Sequence, residues 1–341
     1  MTRSSQSQKS GDNSTNTQIT TQNNYGLTYD EVRQAALDVF KANFYDLHAL
    51  AKEVAEDRAR AITEETLERI FENNQEAVSN FSDPDIAAAL LEAQKSYARS
   101  GDEEAKNILV ELLAQRTQSR AREPKNILLN EAIRKIELLG PDEIELIGIL
   151  HVVIRMPFQD GNPKKICDSL TKTCDWVSAA LPIHEIDEKI SILEYTGVLN
   201  VRAGTRKPFH EGLYLSAPNT LTKGISTQIF DISNISNDMK NTLWFPYAEE
   251  GDQERFAVKP ESIDQLPQSG WSDKQVQELR RLNKEAKMNI SEVQELLVSR
   301  VPNYEKVANF RDNGKIKSVE FSPVGVLIAE AIPAPDPREG A

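Results

Sequence analysis

The chain has few cysteines: only Cys167 and Cys174 in 341 residues. In KKICDSLTKTCDW they stand seven positions apart on a stretch that reads as helix, which puts them two turns apart and out of disulfide reach. A structural zinc would need paired clusters of Cys or His, and none of His48, His151, His184 or His210 makes a ligand-spaced pair with them. Free thiols in a reducing compartment are the expectation. Positive charge is also short, with 40 Lys and Arg against 53 Asp and Glu and a net charge of −13. Such a field repels polyanions at long range, so nucleic-acid binding would have to work from a local basic patch. No apolar run approaches the ~20 residues of a membrane span. The longest, Ile144 to Ile154, reads as a buried helix, and MTRSSQSQKSGDNSTN has no apolar signal region. A cytoplasmic protein with no membrane contact is expected.

Motifs that carry chemistry are missing as well. The 15 glycines are scattered without a phosphate loop, and there is no GxSxG, HExxH, CxxC or EF-hand pattern. No catalytic residue, metal ligand or cofactor is assigned, and an enzyme is disfavoured. One enzymatic alternative is a divergent metal-dependent nuclease or hydrolase, because scattered carboxylates can hold a metal without leaving a local signature.

What the sequence does contain is material for packing: 39% hydrophobic and 27% charged residues, ordinary for a folded chain and enough for two domains. Residues 1–24, mostly Ser, Thr, Asn and Gln, read as a flexible polar leader. Thr28 and Glu31 form a capping box, followed at helical spacing by Val32, Ala35, Ala36, Val39, Phe40 and Phe44. That helix is expected to reach about Asp57, with Thr63 capping the next. Asp83 before Pro84, Gly101 with Asp102, and Gly140 with Pro141 mark further starts and stops, so residues 25–157 read as a helical bundle domain.

After Pro157 the pattern changes. A cysteine-bearing helix ends at Pro182, and another places Ile183, Ile186, Ile190 and Leu193 on one face before Gly197, a left-handed cap. The β-prone VLNVRAG follows, with GLYLS at 212–216 expected to pair with it and KIKSVEFSPVGVLIAEA supplying a later strand and a helix capped by Ser322. Helix, helix, strand, turn, strand is winged-helix-like. The expected second domain is therefore an α+β unit over 158–331 with a long insertion at 217–314, whose clearest helix starts at the Ser272–Gln275 capping box, and then a flexible tail at 332–341.

Three groups are candidate contact sites. Arg116, Arg120, Arg122 and Lys125 form the densest basic run of the first half, and Arg116 and Arg120 share a helix face that can grip a phosphate or an acidic partner. The plainer reading, cations at a helix C-terminus, is favoured. Arg202, Arg206 and Lys207 fall in the wing, where phosphate contacts would arise, but the neighbouring helix EIDEKISILE is acidic and repels phosphate. Trp244, Phe245 and Tyr247 form an aromatic group that can pack internally or anchor a partner.

The segment GLTYDEVRQAALDVFKANFYDL resembles the opening helix of a group of uncharacterised bacterial proteins with a polar leader. DEEAKNILVELLAQR, LNEAIRKIELLGPDEIELIGIL and VEFSPVGVLIAEA are similar, less specifically, to the Abi-alpha type of abortive-infection protein, whose LTPxG-type turn here reads FSPVG, Phe321 to Gly325. The resemblance implies a helical module leading to a winged-helix-like end and a role in bacterial conflict or antiphage defence, with no catalytic residues to carry over. The expected function is a non-enzymatic interaction component that binds a protein partner or phage component and can form homo-oligomers. The alternative is a winged-helix nucleic-acid-binding regulator.

Overall fold

The computed structural model describes residues 28–43, 49–120, 123–155, 163–204, 206–216, 221–229, 243–244, 255–258 and 272–333. The polar leader and residues 334–341 of the tail lie outside the described residues. The chain is mainly helical, and none of the described helices is long and apolar enough to cross a membrane.

Thr28 and Glu31 close the expected box, with Glu31 N–H donating to Thr28 Oγ1 at 3.3 Å and Thr28 N–H to Glu31 Oε2 at 2.8 Å. Helix α1 (Tyr29–Asn43) starts there, and α2 (Ala49–Asn73) is one continuous helix. Thr63 is therefore an interior residue and not a cap. Its buried hydroxyl donates to Ala59 O at 2.6 Å and accepts from Gln94 Nε2 at 2.8 Å, the back-bonding available to a threonine inside a helix. After a 3-10 segment (Gln75–Ser82), Asp83 caps α3 (Pro84–Ser100), which Gly101 ends at φ 64. Asp102 then caps α4 (Glu103–Arg116), and Pro124 and Pro141 open α5 (Pro124–Ile136) and α6 (Pro141–Arg155).

The next helices are α7 (Pro163–Ala180) and α8 (Ile186–Tyr195). Gly197, at φ 73, turns the chain out of α8 in a Schellman pattern: its N–H reaches Glu194 O at 3.0 Å and the Val198 N–H reaches Leu193 O at 2.9 Å. Strand β1 (Leu199–Val201) follows at once. Its partner is not 212–216, which forms helix α9 (Phe209–Ser216) with Phe209 and Leu213 one turn apart on the buried face. That i, i+4 pair outweighs the short-range β signal of GLYLS.

Between α9 and the end of the chain lie a three-stranded sheet of order β2 (Ile225–Ser226), β4 (Arg255–Val258), β3 (Leu243–Trp244) and then three helices, α10 (Asp273–Glu285), α11 (Ile290–Arg300) and α12 (Tyr304–Asp312). The Ser272–Gln275 box opens α10. Strand β5 (Val319–Phe321) pairs antiparallel with β1, Leu199 opposite Phe321, and runs into α13 (Pro323–Ala331).

Two large hydrophobic cores result among the described residues, beside a small cluster of Phe40, Ala55, Ala59 and Ala98. The first joins α1 to α5 and one face of α6 with α8, β1, β5 and α13. The second gathers α7, α9, α11 and α12 on Ile149, Val152 and Val153 of α6. A chain-order division at residue 157 does not coincide with this partition. The β1–β5 ladder carries the end of the chain back onto the N-terminal helices, leaving α6 shared between the cores.

Candidate functional site

The first basic group is largely consumed by the protein itself. Arg116, 1% exposed, donates from Nη2 to Asp85 Oδ2 at 2.7 Å, from Nε to Asn130 Oδ1 at 2.9 Å and from Nη1 to Ser119 O at 2.9 Å. It ties the end of α4 to the start of α3 and the middle of α5 and is not available to an outside phosphate, which corrects its candidacy as an anion contact. Arg120 is exposed but holds Asn80 Oδ1 and Ser79 O, each at 2.7 Å, so the pair does not act as one grip. Lys125 is exposed. Arg122 lies outside the described residues.

The cations of the second basic group meet a similar fate. Arg206 is half-buried and donates to the carbonyls of Ile316 and Val319 across the end of the β1–β5 pair. Burial pushes its guanidinium below the usual arginine range, and the Arg311 charge adds to that. Arg202 pairs with Glu320 and Lys207 with Glu211. Together with Lys317 and Ser318, Arg202 and Arg206 line a cleft of about 250 Å³. On α8, Asp187, Glu188 and Glu194 are exposed, and Lys189 is drawn to Asp142 at 2.8 Å. Of the aromatic group, the Trp244 backbone belongs to β3, and Phe245 and Tyr247 lie outside the described residues.

The two thiols are sealed in the interior. Cys167 and Cys174 are buried in the second core, and loss of solvent pushes their thiols up to about 11 and about 12. Both are protonated near neutrality, hence poor nucleophiles. His151 sits edge-on to Phe321, ring centroids 5.9 Å apart. Among the described residues no group of three or more His, Cys, Asp or Glu is placed to hold a metal ion.

A different feature has the shape of a binding site. A groove of about 560 Å³ runs along the seam between the two cores, bounded by the start of α4, the first half of α6, the last turn of α7 and the exit of α13. Its floor is Ile108, Ile144, Gly148, Ile149, Trp176 and Ala180, and its rim carries Glu104, Asp142 and Glu145 with Asn107 beside them. Pro141 starts α6 where the groove begins. Gly148 lets the end of α13 approach, since a Cβ there would meet Ile332 Cγ2 at 3.2 Å. In the sequence Pro141 and Ile144 read as helix residues, and none of these residues reads as a site. The available signal was a glycine inside an apolar helix, which marks close approach of a neighbour.

Fold and groove together define a mainly helical protein with an open, acid-rimmed apolar cleft. A protein-family model matches residues 26–332, and the chain belongs to that family, which is uncharacterised. No curated protein and no solved structure matches the chain.

Proposed function

We propose that the chain works by contact, as a protein-interaction component of bacterial conflict of the abortive-infection type. The observation that carries the reading is the seam groove, a cleft lined mainly by apolar residues with half-buried Trp176 and Ala180 in its wall, while Arg116, Arg120, Arg202, Arg206 and Lys207 are engaged within the chain. Open apolar clefts of this size are where proteins take ligands and partners. The defence setting comes from the Abi-alpha resemblance. In that comparison α7, α8 and the β1–β5 strand pair stand for the winged-helix-like end, with α9 to α12 inserted between the strands. The nucleic-acid alternative has less in its favour, because Arg206 is held by backbone carbonyls beside β5 and the exposed carboxylates of α8 would face phosphate.

The test is phage plating on a bacterial host expressing the chain. The wild type should lower plating efficiency for at least one phage of a diverse panel. Ala179→Trp, which fills the groove from an exposed position, should restore it at equal protein level. Unreduced plating across the whole panel would overturn the defence role.

A further inference from the structure

We infer that the seam groove receives a basic amphipathic peptide segment of a partner protein, with an apolar side chain on the floor and Lys or Arg at the rim. The inference rests on the binding reading above and adds the chemistry of the partner.

The charge pattern selects the partner. Glu104 on α4 and Asp142 and Glu145 on α6 stand at the rim, and the lining contains no Lys or Arg. Asp142 is shared with Lys189, whereas Glu104 and Glu145 make no ion pair with another described residue, and both are exposed. Solvated carboxylates converging on a low-dielectric cleft focus negative potential outward, on a chain already at −13. That field attracts a cation and repels an anionic ligand.

The floor selects the form of the partner. Half-buried Trp176 and Ala180 offer apolar contact above the buried Ile144 and Ile149, and the small exposed Ala179 beside them leaves room for an incoming side chain. A small-molecule site would aim several polar groups inward. Here Asn107 is the only neutral amide or hydroxyl side chain in the lining, so orientation has to come from the charged rim. An apolar stripe flanked by cations on one helix meets both demands.

The probe is a fluorescein-labelled amphipathic Leu/Lys peptide with one central Trp, compared with its Leu/Glu twin by fluorescence anisotropy on the full chain. The Lys peptide should bind about tenfold or more tighter than the twin at ordinary ionic strength. Glu104→Lys with Glu145→Lys should weaken it about tenfold or more, and Ala179→Trp should abolish it. Glu188→Lys with Glu194→Lys, the same change in net charge on exposed α8 positions, should leave it unchanged. Equal binding of the two peptides, equal loss in the α8 pair, or no effect of Ala179→Trp would each overturn the proposal. So would self-association in sedimentation that Ala179→Trp abolishes without any peptide binding, which would assign the groove to a second copy. Circular dichroism and an unshifted melting curve establish that the variants are folded. Phage protection that survives Ala179→Trp while peptide binding is lost would remove this occupant and leave the defence role standing.

Discussion

Asp85 accepts from Arg116 Nη2 at 2.7 Å and from Asn130 Nδ2 at 2.8 Å, although 53% of its own side chain is exposed. Substitutions at such exposed carboxylates usually change stability by no more than about 0.5 kcal/mol. Asp85 should behave differently, because removing it leaves a buried guanidinium short of its charge partner. We expect Asp85→Ala to cost about 1–3 kcal/mol in urea unfolding. Arg116→Lys should not rescue the site, since an ammonium cannot reproduce the three-way fork to Asp85, Asn130 and Ser119. A surface-like cost for Asp85→Ala would show that the network contributes nothing. QRTQSRAREPK reads as a solvated basic run in one dimension. Its first arginine is structural because α3 and α5 converge on the end of α4, a fact that lies outside the local sequence.

At the scale of elements, the turn FSPVG joins β5 to α13 and locks both onto β1. Ser322 N–H donates to Val198 O at 3.0 Å, Ser322 Oγ donates to Gly197 O at 2.6 Å, and the same Oγ accepts from Gly325 N–H at 3.0 Å. The cap and the first-turn proline are visible in the sequence. The need for glycine is not: a Cβ on Gly325 would lie 2.0 Å from Val198 O, a backbone atom that cannot swing aside. Removing the cap by Ser322→Ala should cost about 1 kcal/mol. Gly325→Ala should cost more, about 1–3 kcal/mol or above, because it forces β1 and α13 apart. Thermal unfolding of the two variants gives the ranking. An equal or smaller loss for Gly325→Ala would mean the junction relaxes freely. The same pairing explains the misread strand: β1 has a partner far away in sequence, and 209–216 is left to follow its own helical periodicity.

For the whole molecule, α6 is the element that makes two cores one structure. Ile147 is buried in the first core and Val153 in the second, so deletions on opposite faces probe different packing. Ile147→Ala should cost about 2–5 kcal/mol and Val153→Ala somewhat less. Because both cores use the same helix, each variant should lower the midpoint of a single calorimetric transition. Two separated transitions, with each variant moving only one, would show that the cores unfold independently and that α6 does not couple them. The groove lies on this seam, so its walls belong to both cores.

Local rules determined much from the sequence alone: the helical character, the caps at Thr28, Asp83, Asp102, Ser272 and Ser322, the left-handed exits at Gly101 and Gly197, and the burial of most apolar residues between Ile144 and Val153. These depend on neighbours within a turn or two, which the chain order contains. Tertiary structure decided the β1–β5 pairing, the sharing of α6, the burial of Arg116 and the groove itself. Each of those is a meeting of residues far apart in sequence, set by which apolar faces find one another, and neither hydrophobic period nor capping chemistry carries that information.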